Sequence, residues 1–155
     1  MVRSLFATPT RTRRTVVAWL YLVVLGHVFG GLLLTWASPA GHLDAYLHWV
    51  DNAFWTTPAP APAAAQQRWW FALFGATLQS YGIAMFALVH IGQRQRSAAA
   101  WGWLLLGIGV WAPQDIWLSA SAGVWINVLA DLLALCALAP PLLWLISHDR
   151  QVVKA

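Results

Sequence analysis

Four predominantly apolar stretches, each about as long as the ~20 residues a helix needs to cross ~30 Å of hydrocarbon, constrain this chain more than any other feature. They run from Val16 to Trp36, Trp69 to Ile91, Ala98 to Ala120 and Ala122 to Ile146. Backbone groups facing lipid have no water to bond, so each stretch is expected to be helical; a barrel would need many short alternating strands instead. The composition agrees. With 60% apolar residues, 9% charged residues and no Glu, too few charges remain to cover a water-facing globule or to solvate a disordered chain. The expected fold is all-α: a single polytopic membrane domain over residues 1–155, built as a four-helix bundle with an outer loop over 37–68.

Orientation follows from the basic residues. Arg3, Arg11, Arg13 and Arg14 precede the first stretch, Arg94 and Arg96 lie between the second and third, and Arg150 and Lys154 follow the fourth. Arg68 alone lies on the other side, so the positive-inside rule places both termini in the cytoplasm. Trp36, Trp55, Trp69 and Trp70 read as the outer aromatic belt and Trp101 and Trp103 as the inner one, while the deeper Trp111, Trp117 and Trp125 are candidates to line a pocket. The net charge of +4 is thereby assigned to membrane orientation, and nucleic acid is not an expected partner. Membrane lipid is, together with a membrane-protein partner or a second copy of the chain. An Ala/Leu/Trp-rich composition suits a high-GC coding sequence and points to a bacterial inner membrane. The 21-residue first stretch is too long for a signal-peptide core and is expected to be retained as a helix.

In the outer loop, Ser38-Pro39 reads as a helix cap and first-turn pair. Leu43, Tyr46, Leu47, Val50 and Phe54 then recur at helical spacing, with Asp44, His48 and Asp51 on the opposite side, so a short interfacial helix is expected. Thr57 to Pro62 should run extended before Pro62 opens a long second membrane helix. The third and fourth stretches form a tight hairpin around Ser119 to Gly123.

Polar residues at membrane depth are costly, about 2.5–3.5 kcal/mol for Asp at a helix centre on insertion scales, so each needs a partner or a purpose. Counting about 1.5 Å per residue from the outer ends puts Asp115 and Asn127 about 9 Å deep, His27 about 13 Å, and Gln79 and Asp131 about 15 Å. All four helices therefore contribute to one slab, and His27, Gln79, Tyr81, Gln114, Asp115, Asn127 and Asp131 are the candidate lining of an outward-opening pocket. Interhelical hydrogen bonding without any ligand is the competing explanation. Two carboxylates with no Lys or Arg in a helix core favour a ligand or proton site. Gly30 and Gly31 follow His27 at the spacing that lets another helix approach, and Pro113 frees the carbonyl of Gly109.

Other chemistries find less support. His27 and His90 are the only histidines within the apolar stretches and lie about 15 Å apart in depth, too far to ligate one haem iron, so no cofactor is assigned. His42, Asp44, His48 and Asp51 on the outer helix are weak metal candidates, since a solvated helix face gives the same pattern. Cys136 has no partner and no neighbouring His, and Pro140-Pro141 is expected to kink or loosen the end of the fourth helix.

The order of features resembles the EXPERA family of four-helix membrane proteins, which includes the sigma-2 receptor and the emopamil-binding sterol isomerases. The likeness lies in Arg13-Arg14, Trp19-Leu20-Tyr21-Leu22 leading to His27, Leu47-His48-Trp49 before Phe54, and a proline-containing approach to Arg68-Trp69-Trp70-Phe71. It covers most of the chain at the level of architecture; Thr35-Trp36 stands where the family carries an acidic residue. The resemblance implies a bundle enclosing a pocket for a sterol-like or cationic amphiphilic ligand. For the isomerase members it also implies proton transfer, for which Asp115, Asp131 and His27 are the candidates here.

The reading that results is a small membrane protein that binds a lipophilic or amphiphilic ligand, or acts as an accessory subunit, through the polar pocket. Membrane-embedded acid/base catalysis on a lipid, and a subunit of a small transporter or proton pathway, are the alternatives.

Overall fold

The computed structural model describes residues 10–154, which form five helices and no strand. They are α1 (Arg11–Ala37), α2 (Asp44–Asp51), α3 (Ala61–Gln95), α4 (Ala98–Ser121) and α5 (Trp125–Lys154). Arg3 lies outside the described residues, as does the side chain of Lys154. Among the described residues, three helices are long and apolar enough to cross a membrane: Arg11–Ala37, Ala61–Gln95 and Trp125–Gln151. α4, at 24 residues, has the length, but its four tryptophans and the Pro113-Gln114-Asp115 segment lower its mean hydropathy.

α1, α3, α4 and α5 run alternately up and down. α1 lies along α3 and α4 along α5, and these two antiparallel pairs meet more sparingly through α3–α4 and α1–α5. Each long helix contributes a stripe at spacings of three, four or seven, the periodicity that keeps one face of a helix toward its neighbours. α1 buries Arg13, Val17, Leu20, Val24 and Gly31; α4 buries Trp101, Leu104, Ile108 and Ala112; α5 buries Asp131, Leu138, Leu142, Leu145 and Asp149. The apolar core gathers Val17 to Val24, Met85, Val89, Trp101 to Ala112 and Leu138 to Leu145, toward the end where α1 begins and α5 finishes. Phe29, Leu33, Ile83, Leu106, Trp117 and Leu133 face outward, as lipid-facing side chains would.

Close approach of α1 and α3 rests on two glycines. A Cβ on Gly31 would lie 2.6 Å from the Gly75 carbonyl oxygen, and one on Gly75 would lie 2.6 Å from the Gly31 carbonyl oxygen. Gly30, next in sequence, faces open space, so only one of the adjacent glycines serves this contact.

Two local expectations are corrected. α1 begins at Arg11, before the apolar stretch, because Thr10 caps it by accepting the Arg13 backbone N–H at 3.3 Å. Arg11, Arg13 and Arg14 are thus helical residues. Ser38 does not start the outer helix; it ends α1, is fully buried, and donates to the Arg68 carbonyl at 3.3 Å. The chain then turns through Gly41, whose φ of 80° suits a residue without Cβ, and α2 starts only at Asp44. α5 continues as one helix through Pro140 and Pro141. Pro141 has no N–H for the carbonyl four residues back, and Trp19 of α1 supplies the donor, its Nε1 bonding Ala137 O at 2.9 Å.

Candidate functional site

The slab inferred from depth resolves into two groups. On the α1–α3 side, His27 Nδ1 pairs with the Val23 carbonyl of its own helix at 2.8 Å, and its ring leans on Tyr81 at 5.8 Å between centroids. Gln79 donates to Thr35 Oγ1 at 3.0 Å and to the Gly75 carbonyl at 3.3 Å, which joins α3 to α1 beside the glycine contact. Tyr81 is partly exposed, with its hydroxyl beside Gly107 of α4. The Gln79–Thr35 bond is of the interhelical kind that holds membrane helices together without a ligand.

On the α4–α5 side, Asp115 and Asn127 are joined through Ser119, with Trp111 and Tyr46 as further partners, and Asp131 stands one turn from Asn127 on α5. Trp111 Nε1 donates to Asp115 Oδ2 at 2.9 Å and Ser119 Oγ to Asp115 Oδ1 at 3.2 Å. Asn127 Nδ2 donates to Ser119 Oγ at 3.4 Å, and its Oδ1 accepts from the Tyr46 hydroxyl of α2 at 2.6 Å. Tyr46 also packs edge-on against Phe71 of α3, with centroids 5.7 Å apart. Burial first, and then the charges of Asp115 and Asp131, push the Tyr46 hydroxyl above its usual pKa range, so both carboxylates lie within its electrostatic reach.

Asp131 is the exception in an otherwise paired cluster. It is only 5% exposed, and its Oδ2 is buried with no hydrogen-bond partner. Buried polar atoms are paired in the great majority of cases, so an orphaned carboxylate oxygen marks a place where a donor is wanted. His27 does not provide one: its Nδ1 bonds the Val23 carbonyl, and no bond from its ring reaches Asp131. Gln114 is exposed and bonds the Val110 carbonyl one turn back, so it points away from the cluster. Trp117 and Trp125 are exposed as well, and of the three deep tryptophans only Trp111 touches it.

Outside the membrane, α2 presents its polar face to a cavity of about 240 Å³ lined by Asp44, His48, Asp51, Gln67 and Arg68. Arg68 takes both oxygens of Asp44, Nε to Oδ1 at 3.1 Å and a terminal nitrogen to Oδ2 at 3.0 Å. Among the described residues, no three His, Cys, Asp or Glu side chains are grouped to hold a metal ion, so His42, Asp44, His48 and Asp51 do not converge as ligands.

A second buried cluster lies at the opposite end of the bundle. Arg13 and Asp149 form a bidentate pair, Nε to Oδ1 at 2.9 Å and a terminal nitrogen to Oδ2 at 2.8 Å. That terminal nitrogen also reaches the Gly92 carbonyl at 3.2 Å, and Trp101 Nε1 donates to Asp149 Oδ2 at 2.9 Å. Four helices are thereby fastened at one point. Arg13 is neither a solvated topogenic charge nor Trp101 a belt residue; both are buried, Trp101 fully, with its indole against Gly92. The signal was present in the spacing, since Arg13, Trp101 and Asp149 each continue the stripe of buried residues on their own helix.

In comparisons with known proteins, no family model, no curated protein and no solved structure matches this chain.

Proposed function

We propose that this chain is a four-span protein of a bacterial inner membrane, with both ends cytoplasmic. It binds a small lipophilic or amphiphilic molecule in the outer half of the bundle, around Asp131. For the fourth span, support comes from the placement of α4 against both α3 and α5, with Trp103, Leu106, Val110 and Leu118 exposed along its outer side. For the ligand, the supporting observation is the unpartnered Asp131 Oδ2. A buried acceptor left without a donor costs about 1–3 kcal/mol, and an ammonium or hydroxyl on an apolar ligand would relieve that cost while its tail stayed in hydrocarbon.

Binding is favoured over turnover because no hydrogen bond links His27, the base that an isomerase-like reaction would recruit, to Asp115 or Asp131; its Nδ1 bonds the Val23 carbonyl and only Nε2 is left to act. The likeness to EXPERA proteins supports a bundle that holds an amphiphile and is common to the binding and the isomerase members. Binding of radiolabelled dodecylamine to the protein in lipid nanodiscs, with empty nanodiscs subtracted, tests this reading. Asp131→Asn is expected to weaken saturable binding by about 10- to 100-fold, the range for a hydrogen bond to a charged group. An unchanged affinity in that variant, or no saturable component in the parent chain, would refute it.

A further inference from the structure

We propose that α2 is a strap across the outer end of the bundle and that Tyr46 is its latch, controlling access to Asp131. The inference rests on the reading of the Asp131 region as a ligand site, and it describes how that site is reached.

α2 has only eight residues and hangs between the Gly41 turn and the irregular stretch that contains Pro58 and Pro60. Few contacts fasten it. Leu47 is buried, and Asp44 is tied to Arg68 by an exposed ion pair, a kind that holds weakly. Tyr46 reaches in two directions, edge-on to Phe71 of α3 and by its hydroxyl to Asn127 of α5. One side chain therefore bridges the α1–α3 pair and the α4–α5 pair, at the end remote from the Arg13–Asp149 fastening. Asn127 stands one turn outward of Asp131 on the same side of α5, so a molecule moving from the outer surface toward Asp131 meets the Tyr46–Asn127 bond first.

The two ends of the bundle differ in what opening them requires. The inner end is closed by an apolar core and a buried bidentate ion pair, whose rupture would strand a charge. Opening the outer end between the pairs at α2 breaks the Tyr46–Asn127 hydrogen bond and an aromatic contact. The outer end is the one built to open.

Cysteine reactivity reads this directly. In a Cys136→Ser background, Asp131→Cys serves as the reporter and Leu135→Cys, one turn further in, as a second. Each is reconstituted in nanodiscs and exposed to a small trimethylammonium methanethiosulfonate reagent. Tyr46→Phe, which removes only the hydroxyl, should speed labelling at both positions by about tenfold. Thr57→Cys on the exposed outer loop should react equally fast with either residue at 46. Equal rates at 131 and 135 with and without the Tyr46 hydroxyl, whether fast or slow, overturn the strap. Dodecylamine binding, measured on the chain with Asp131 intact, separates the two ideas. Faster labelling in a chain that binds no dodecylamine upholds the strap and sinks the ligand reading, and equal rates in a chain that binds it do the reverse.

Discussion

Two buried aspartates on the same helix show how context decides what a charge does. Asp149 accepts from Arg13 twice and from Trp101 once, so its burial is compensated, while Asp131 keeps an oxygen with no partner. Opposite responses to substitution follow. Asp149→Asn should lower unfolding stability in detergent by about 3–5 kcal/mol, because it leaves the Arg13 guanidinium buried and unpaired. Asp131→Leu should raise it by about 1–3 kcal/mol, since it removes an unsatisfied acid and adds apolar contact. Unfolding curves of the two variants beside the parent check both; a loss of stability at 131 as large as that at 149 would mean that the Asp131 oxygen has a partner after all.

At the scale of elements, the helices were legible from their apolar stretches, but what the helices do to one another was only partly so. Depth along a helix can be counted from its end, and the count placed His27 level with Asp131. Facing cannot be read from depth, and His27 turned out to bond within α1 while Asp115 and Asn127 joined through Ser119. The arginine before the first stretch was legible as a topological signal and illegible as a core residue until its spacing from Val17 and Leu20 was considered. The outer helix showed its apolar face in part, with Tyr46 and Leu47 turned toward the bundle while Phe54, placed on that face by its spacing, lies beyond the helix and is exposed, and the backbone turn that ends α1 at Ser38 resembles a helix start in sequence. Adjacent glycines give a prediction at this scale. Gly31→Ala must push its Cβ into the α3 backbone and should cost about 1–3 kcal/mol, whereas Gly30→Ala meets nothing and should gain about 0.5–1 kcal/mol of helix propensity. Thermal unfolding of the two variants distinguishes them, and equal effects would contradict the close α1–α3 approach.

Taken whole, the molecule is asymmetric from end to end. The start of α1 and the last turns of α5 lie at the end that holds the apolar core, where Arg13, Gly92, Trp101 and Asp149 join four helices. The far end carries the carboxylates, and there α2 spans two helix pairs that meet less closely than the helices within each pair. A bundle fastened at one end and strapped at the other fits a receptacle for a membrane-soluble molecule, and the unpartnered oxygen of Asp131 is the feature on which that account turns. Native mass spectrometry of the protein released from its own membrane addresses it most directly. The account predicts a small molecule bound to the parent chain at a fixed stoichiometry and missing from Asp131→Leu. The same bound mass, at the same occupancy in both, would contradict it.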